Sequence, residues 1–148
     1  MSKETSLEFL GLFLVVILIA FTSSYSYLLF HSVAEVFSVI ISGGVFFIGW
    51  NSRKYMKSSF FLVLGVSSLF IGIVDLIHSL SYLDMQIFTG FDANLPTSLW
   101  IAARYLQSCS LLIASLLIKK SVKSNYLFVT YMGVFIILII LIFSNAFP

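Results

Sequence analysis

Charge is what this chain has least of. Asp, Glu, Lys and Arg make up 9% of its 148 residues, where a soluble globular domain carries about 25%. With 60% of the residues hydrophobic, the composition is that of a membrane protein. Proline is almost as scarce, at two residues against sixteen Phe, which suits long, lipid-facing helices. The single cysteine, Cys109, excludes an intramolecular disulfide and any multi-thiolate metal site, and is expected as a small apolar packing residue. No Gly-x-Ser-x-Gly, His-Glu-x-x-His, phosphate-binding glycine loop or nucleotide fingerprint occurs, so the common nucleophile and nucleotide chemistries have no motif to rest on. No Gly/Ser linker and no repeat of fixed period interrupts the chain, so residues 1–148 read as one membrane-embedded domain.

Five apolar segments approach the roughly 20 residues that a helix needs to cross the hydrocarbon core. They predict an all-α, polytopic transmembrane bundle with spans at about Leu7–Phe21, Tyr27–Trp50, Ser59–Tyr82, Thr97–Ile118 and Tyr126–Phe147. Span 1 has the look of a signal peptide, but Glu8 and the lack of an Ala-x-Ala site argue for a retained helix. Lys3, then Arg53, Lys54 and Lys57, then Lys119, Lys120 and Lys123 fall on alternate connections, whereas Thr22–Ser26 and Leu83–Pro96 contain no basic residue. The positive-inside rule therefore predicts a cytoplasmic N-terminus, an external Leu83–Pro96 loop and an external Pro148. The basic clusters act as topology determinants, so no nucleic-acid partner is expected. Trp50, Tyr55, Tyr82 and Trp100 sit near span ends as interfacial anchors do. Small-residue pairs such as Ser38/Ser42, Ser68/Gly72 and Ser110/Ala114 would let helices approach, though such pairs are common by chance.

The remaining basic residue, Arg104, lies inside span 4. At about 1.5 Å per residue, His31 and His78 lie roughly 6 Å in from the external face, Asp75 and Arg104 roughly 10 Å and Glu35 roughly 12 Å. Five ionisable residues from three helices thus share one layer. On span 2, His31, Glu35, Ser38 and Ser42 form one helical stripe. Asp75 and His78 share a face of span 3, and Thr97, Arg104, Ser108 and Ser115 nearly a face of span 4. Spans 2, 3 and 4 are therefore expected around a polar pocket that opens outward, with spans 1 and 5 as peripheral packing helices. The external loop, with Met85, Ile87, Phe88 and Phe91, reads equally as a lid or as a plain re-entry turn, and Thr97 as a cap for span 4.

Charged groups in a bilayer are expensive and pair with one another or mark function. Three readings stay open. His31, Glu35, Asp75 and His78 offer two imidazoles and two carboxylates to a zinc, iron or copper ion, or His31 and His78 could ligate a b-type haem axially. Glu35, Asp75 and Arg104 could instead form a purely structural ion-pair network, or the layer could hold an organic or ionic ligand. An intramembrane metal-dependent hydrolase, losing turnover with Glu35 or Asp75, and a small haem or metal redox protein are the alternatives to a binding role.

Phe30-His-Ser-Val-Ala-Glu-Val-Phe-Ser38, Trp50-Asn-Ser-Arg53, Asp75-Leu-Ile-His78, Ala93-Asn-Leu-Pro-Thr97 and Leu99-Trp-Ile-Ala-Ala-Arg-Tyr105 resemble the third type of membrane-associated sensor domain in the MASE series. The resemblance runs from about Tyr27 to the C-terminus. It implies a sensory input module of a bacterial inner membrane, not an enzyme in itself. The partners it implies are a cytoplasmic histidine kinase or GGDEF-type diguanylate cyclase, in cis or in trans, and a second copy in a homodimer. On the quoted motifs it adds Trp50, Asn51, Arg53, Asn94, Trp100 and Tyr105 as supporting residues. Members usually continue into further spans and an output domain, so the chain is expected to be an input domain cut short before them, or a stand-alone relic.

Overall fold

The computed structural model describes residues 3–56 and 58–147, with the side chains of residues 3 and 4 left aside. Lys57, Pro148 and the Lys3 side chain, which enter the orientation reading, lie outside the described residues. Five helices follow one another: α1 (Lys3–Phe21), α2 (Tyr27–Ser52), α3 (Phe60–Leu80), α4 (Asn94–Leu116) and α5 (Ser124–Phe143). All five are long and apolar enough to cross a membrane, and no strand occurs among the described residues.

Local chemistry sets the ends. Ser26 caps α2, its hydroxyl accepting from the Leu29 amide at 3.0 Å. α4 starts three residues ahead of the expected Thr97. Pro96 falls in the first helical turn, where its missing N–H is no loss. Thr97 does not cap: its hydroxyl donates back to the Ala93 carbonyl at 2.9 Å. α5 stops at Phe143, short of the expected Phe147. Asn145 takes the left-handed conformation (φ 55°). The Asn145 amide then reaches the Ile142 carbonyl at 3.1 Å and the Ala146 amide the Leu141 carbonyl at 2.9 Å, a Schellman close.

Helix α3 is the centre. α2, α4 and α5 pack around it, while α1 rests mainly on α2 with nothing buried along its span. The reason is small residues on α3. A Cβ placed on Gly49 would lie 2.9 Å from the Gly65 Cα, and one on Gly72 would lie 2.9 Å from the Ser42 Cβ. α2 and α3 therefore touch backbone to backbone, as close-packed membrane helices do. On the other side, the Phe70 ring meets Phe128, Tyr131 and Phe135 of α5 at centroid distances of 5.5, 6.2 and 5.7 Å. The buried Tyr131 hydroxyl donates to Ser110 of α4 at 2.8 Å. α5 is thus an integral part of the core and not the peripheral helix its sequence suggested; its apolar surface gave no hint of that polar bond. α1 is peripheral as expected.

The connections alternate between two ends. At one, Arg53 and Lys54 join Lys119, Lys120 and Lys123. Here the buried Ser59 ties the two links together, its amide donating to the Lys120 carbonyl at 3.1 Å and its hydroxyl accepting from the Val122 amide at 2.7 Å. At the other, Phe88 and Phe91 pack on Phe143 at 5.7 and 5.5 Å, fastening the long loop to the end of α5. Left-handed turns at Gln86 (φ 54°) and Gly90 (φ 99°) shape it. Cys109 is exposed on α4 and not the buried packing residue its sequence suggested. Because the α2–α3 contact leaves no room for a methyl group, Gly65→Ala is expected to lower stability by about 1–3 kcal/mol, the range for overpacking. Gly133→Ala, in open space on α5, is the matched control that leaves it unchanged or higher. Thermal unfolding of both variants in one detergent decides this.

Candidate functional site

The five ionisable residues of the predicted layer do gather at one end, but as two groups that share α3. His31 and Glu35, one turn apart on α2, meet His78 of α3; one ligand atom from each lies within 4.8 Å of the other two. The His31 and His78 rings stand edge to face at 5.6 Å, with Tyr82 at 5.1 Å from His31 and Tyr27 stacked on it at 6.0 Å. His31 Nε2 is buried without a hydrogen-bond partner. His78, 7% exposed, places Nδ1 at 2.8 Å from the Pro96 carbonyl at the start of α4. A carbonyl only accepts, so Nδ1 carries the proton and donates. In the neutral ring this leaves the Nε2 lone pair free.

The second group lies across α3 and α4. Arg104 Nη2 donates to both Asp75 carboxylate oxygens at 2.7 Å, and Nη1 donates to Gln107 Oε1 at 2.7 Å. Asp75 is 3% exposed, whereas 41% of the Arg104 side chain stays open. Arg104 Nε is buried and has no partner. Asp75, expected among the metal ligands, is therefore held elsewhere: the Arg104 guanidinium takes both its carboxylate oxygens in charge-assisted hydrogen bonds, and the His31–Glu35–His78 group closes without it.

A haem does not fit. The ligand atom of Glu35 lies within 4.8 Å of a nitrogen of each imidazole, inside the disc a macrocycle between the two rings would fill, and a porphyrin iron offers only two axial positions.

Two cavities adjoin these groups. One of about 470 Å³ sits between the ends of α3, the long loop and α4, walled by His78, Tyr82, Asp84 and Trp100 among others. The other, about 200 Å³, lies deeper between α2, α3 and α4 and is lined by hydroxyls of Ser42, Ser67, Ser68 and Ser110 with Gln107. The single outward pocket expected among three helices is thus divided, with α2 lining only the deeper part. The loop flanks the outer mouth with Leu83 and Asp84, while its aromatic residues are committed to α5.

Against known proteins, the membrane-associated sensor domain MASE3 matches residues 22–148. The chain belongs to this family. No curated protein and no solved structure matches it. A MASE3 domain is a membrane-embedded sensory input module, and its apolar helices here make it a multi-pass membrane protein, consistent with a bacterial inner membrane.

Among the residues the motifs added, Trp100 walls the outer cavity. The Asn94 amide donates to Asp92 Oδ1 at 2.9 Å, opening α4. Tyr105 is exposed and joins neither group. Trp50, Asn51 and Arg53 stand at the far end of α2. The Arg53 guanidinium lies 4.3 Å over the Trp50 ring and donates to the Trp50 carbonyl at 2.6 Å, while Asn51 reaches the Phe47 carbonyl at 2.8 Å. They close the helix C-terminus and do not reach the polar layer. Two contributors were missed. Gln107 carried a readable signal, its i+3 spacing from Arg104; the Pro96 carbonyl carried none.

The geometry makes the Asp75–Arg104 pair mutually dependent. Asp75→Asn and Arg104→Ala are each expected to destabilise the MASE3 domain, and the double variant by less than the sum. Loss of one partner from a fully buried pair costs about 3–5 kcal/mol; the half-open guanidinium brings the loss below that. A double-mutant cycle on detergent unfolding measures the coupling, and additive losses would show the pair to be inert.

Proposed function

We propose that this MASE3 domain senses a small ligand, a metal ion or a redox cue at the polar layer and relays it to a cytoplasmic output. One observation carries the reading: His78 of the central helix meets both α2 and α4, its ring against His31 and its Nδ1 on the Pro96 carbonyl. Whatever engages His78 acts on three helices together. The distribution of lysine and arginine supports the layer facing outward and the basic end facing the cytoplasm.

The relay is a population shift between two packings of α2 on α3. The two helices are in backbone contact at Gly49 and Gly65, toward the basic end. They cannot approach further there, so a pull at His31 and Glu35 tilts α2 about that contact and moves the connection beyond Ser52. On the other flank, the Asp75–Arg104 pair holds α4 in register with α3. The output that receives the movement is a histidine kinase or GGDEF-type diguanylate cyclase, in cis or in trans, in a homodimeric assembly of the kind usual for such inputs.

The test needs no knowledge of the cue. The chain is joined through one added span to a diguanylate cyclase reporter. Asp75→Ala and Arg104→Ala are each expected to shift cyclic-di-GMP output several-fold while the amount inserted in the membrane stays that of the parent. Output equal to the parent in both variants, with insertion intact, would rule out coupling between this layer and the cytoplasmic side.

A further inference from the structure

The two histidines and the glutamate form a ligand set in search of an ion. We propose that His31, Glu35 and His78 bind one divalent ion of the zinc class, with the fourth coordination position open toward the outer cavity. Two imidazole nitrogens and one carboxylate, with no thiolate, suit borderline divalent ions and not cuprous copper. Two histidines, a glutamate and a vacant position is also the donor set of open, exchangeable zinc sites.

Four features of the group point to an ion and not to packing. First, the ligand atoms already converge to within 4.8 Å, yet no hydrogen bond joins the three side chains. Second, His31 Nε2 is buried with no hydrogen-bond partner, which leaves that nitrogen free to take an ion. Third, His78 donates Nδ1–H to a backbone carbonyl, the outer-shell bond that fixes a metal-bound imidazole in the correct tautomer. Fourth, the one ion pair of the layer joins Asp75 to Arg104, and no cationic side chain lies within ion-pair distance of the half-buried Glu35 carboxyl among the described residues. His78, with Tyr82, also walls the cavity of about 470 Å³, so one member of the group borders open space.

Binding has a mechanical consequence. An ion held by His31 and Glu35 on one side and His78 on the other ties the end of α2 to α3. That this tie is the sensory event rests on the reading above; the binding does not.

The full chain is purified in mild detergent, stripped with chelator, reloaded with Zn²⁺ and washed before elemental analysis. In parallel, Co²⁺ serves as a visible probe. One zinc per chain is expected, along with a cobalt d–d spectrum that zinc abolishes. His31→Ala is expected to weaken binding by at least about 100-fold, more than loss of an outer-shell partner brings, and Glu35→Gln by about 10-fold or more. Neither side chain has another hydrogen-bonded partner, so both variants should keep the parent's helicity and elution. Cys109→Ser keeps full binding, showing that the exposed thiol is not the ligand. Absence of stoichiometric zinc in the parent, or zinc retained in both ligand variants, overturns the site. Zinc bound and lost as described, with a reporter that ignores zinc, upholds the site and overturns the metal as the sensory cue.

Discussion

A carboxylate on the most enclosed helix of a membrane domain must be met by a cation, and that requirement organises the rest. Asp75 is 3% exposed on α3, where water cannot solvate it and an unpaired charge would cost several kcal/mol (about 2.5–3.5 on insertion scales). Arg104 meets it, and in doing so sets the depth of α4 against α3. Once that depth is set, the first turn of α4 lies beside the end of α3 and the Pro96 carbonyl comes within reach of His78. The orientation of the imidazole, and hence the nitrogen it offers to α2, follows from an ion pair one turn below it. The polar layer is thus a sequence of dependencies in which the charged pair comes first.

The two flanks of α3 are held by different forces. Toward α4 and α5 the contacts are an ion pair and close-set aromatic rings, both directional. Toward α2 they are the near-absence of side chains at Gly49, Gly65 and Gly72. A smooth backbone contact resists compression but has no preferred twist, whereas a two-oxygen ion pair resists both. Under the proposed relay, the side that moves is the one that carries the unpaired histidine and glutamate, with the other flank as reference.

Much of this was legible in the sequence, and what was not has physical causes. Span positions follow from hydropathy because lipid imposes a length. The gathering of His31, Glu35, Asp75, His78 and Arg104 at one end follows from counting residues along alternating helices. Which of them pair does not follow, since equal depth leaves the order of helices around the axis open, and only the packing of α3 between α2 and α4 assigns Asp75 to Arg104. Gly49 and Gly65 sit in unrelated local contexts, and their contact exists only across the interface. Tyr131 gave no signal of its own, because its partner Ser110 is met only across the α4–α5 interface. Thr97 was misread as a cap because Pro96 looked like a boundary, although a proline is at home in a first helical turn.

The clasp made by Ser59 has a consequence for how the basic end behaves. A hydroxyl and an amide from one link are bonded to the amide and carbonyl of the other, so the two charged connections are stitched into a single plate. Under the proposed relay, a shift delivered to the first link by α2 passes through these bonds into the second, and so into the start of α5. The face turned toward any partner at that end is a composite of both connections, presenting their lysines and arginine as one pattern of charge that moves as a unit.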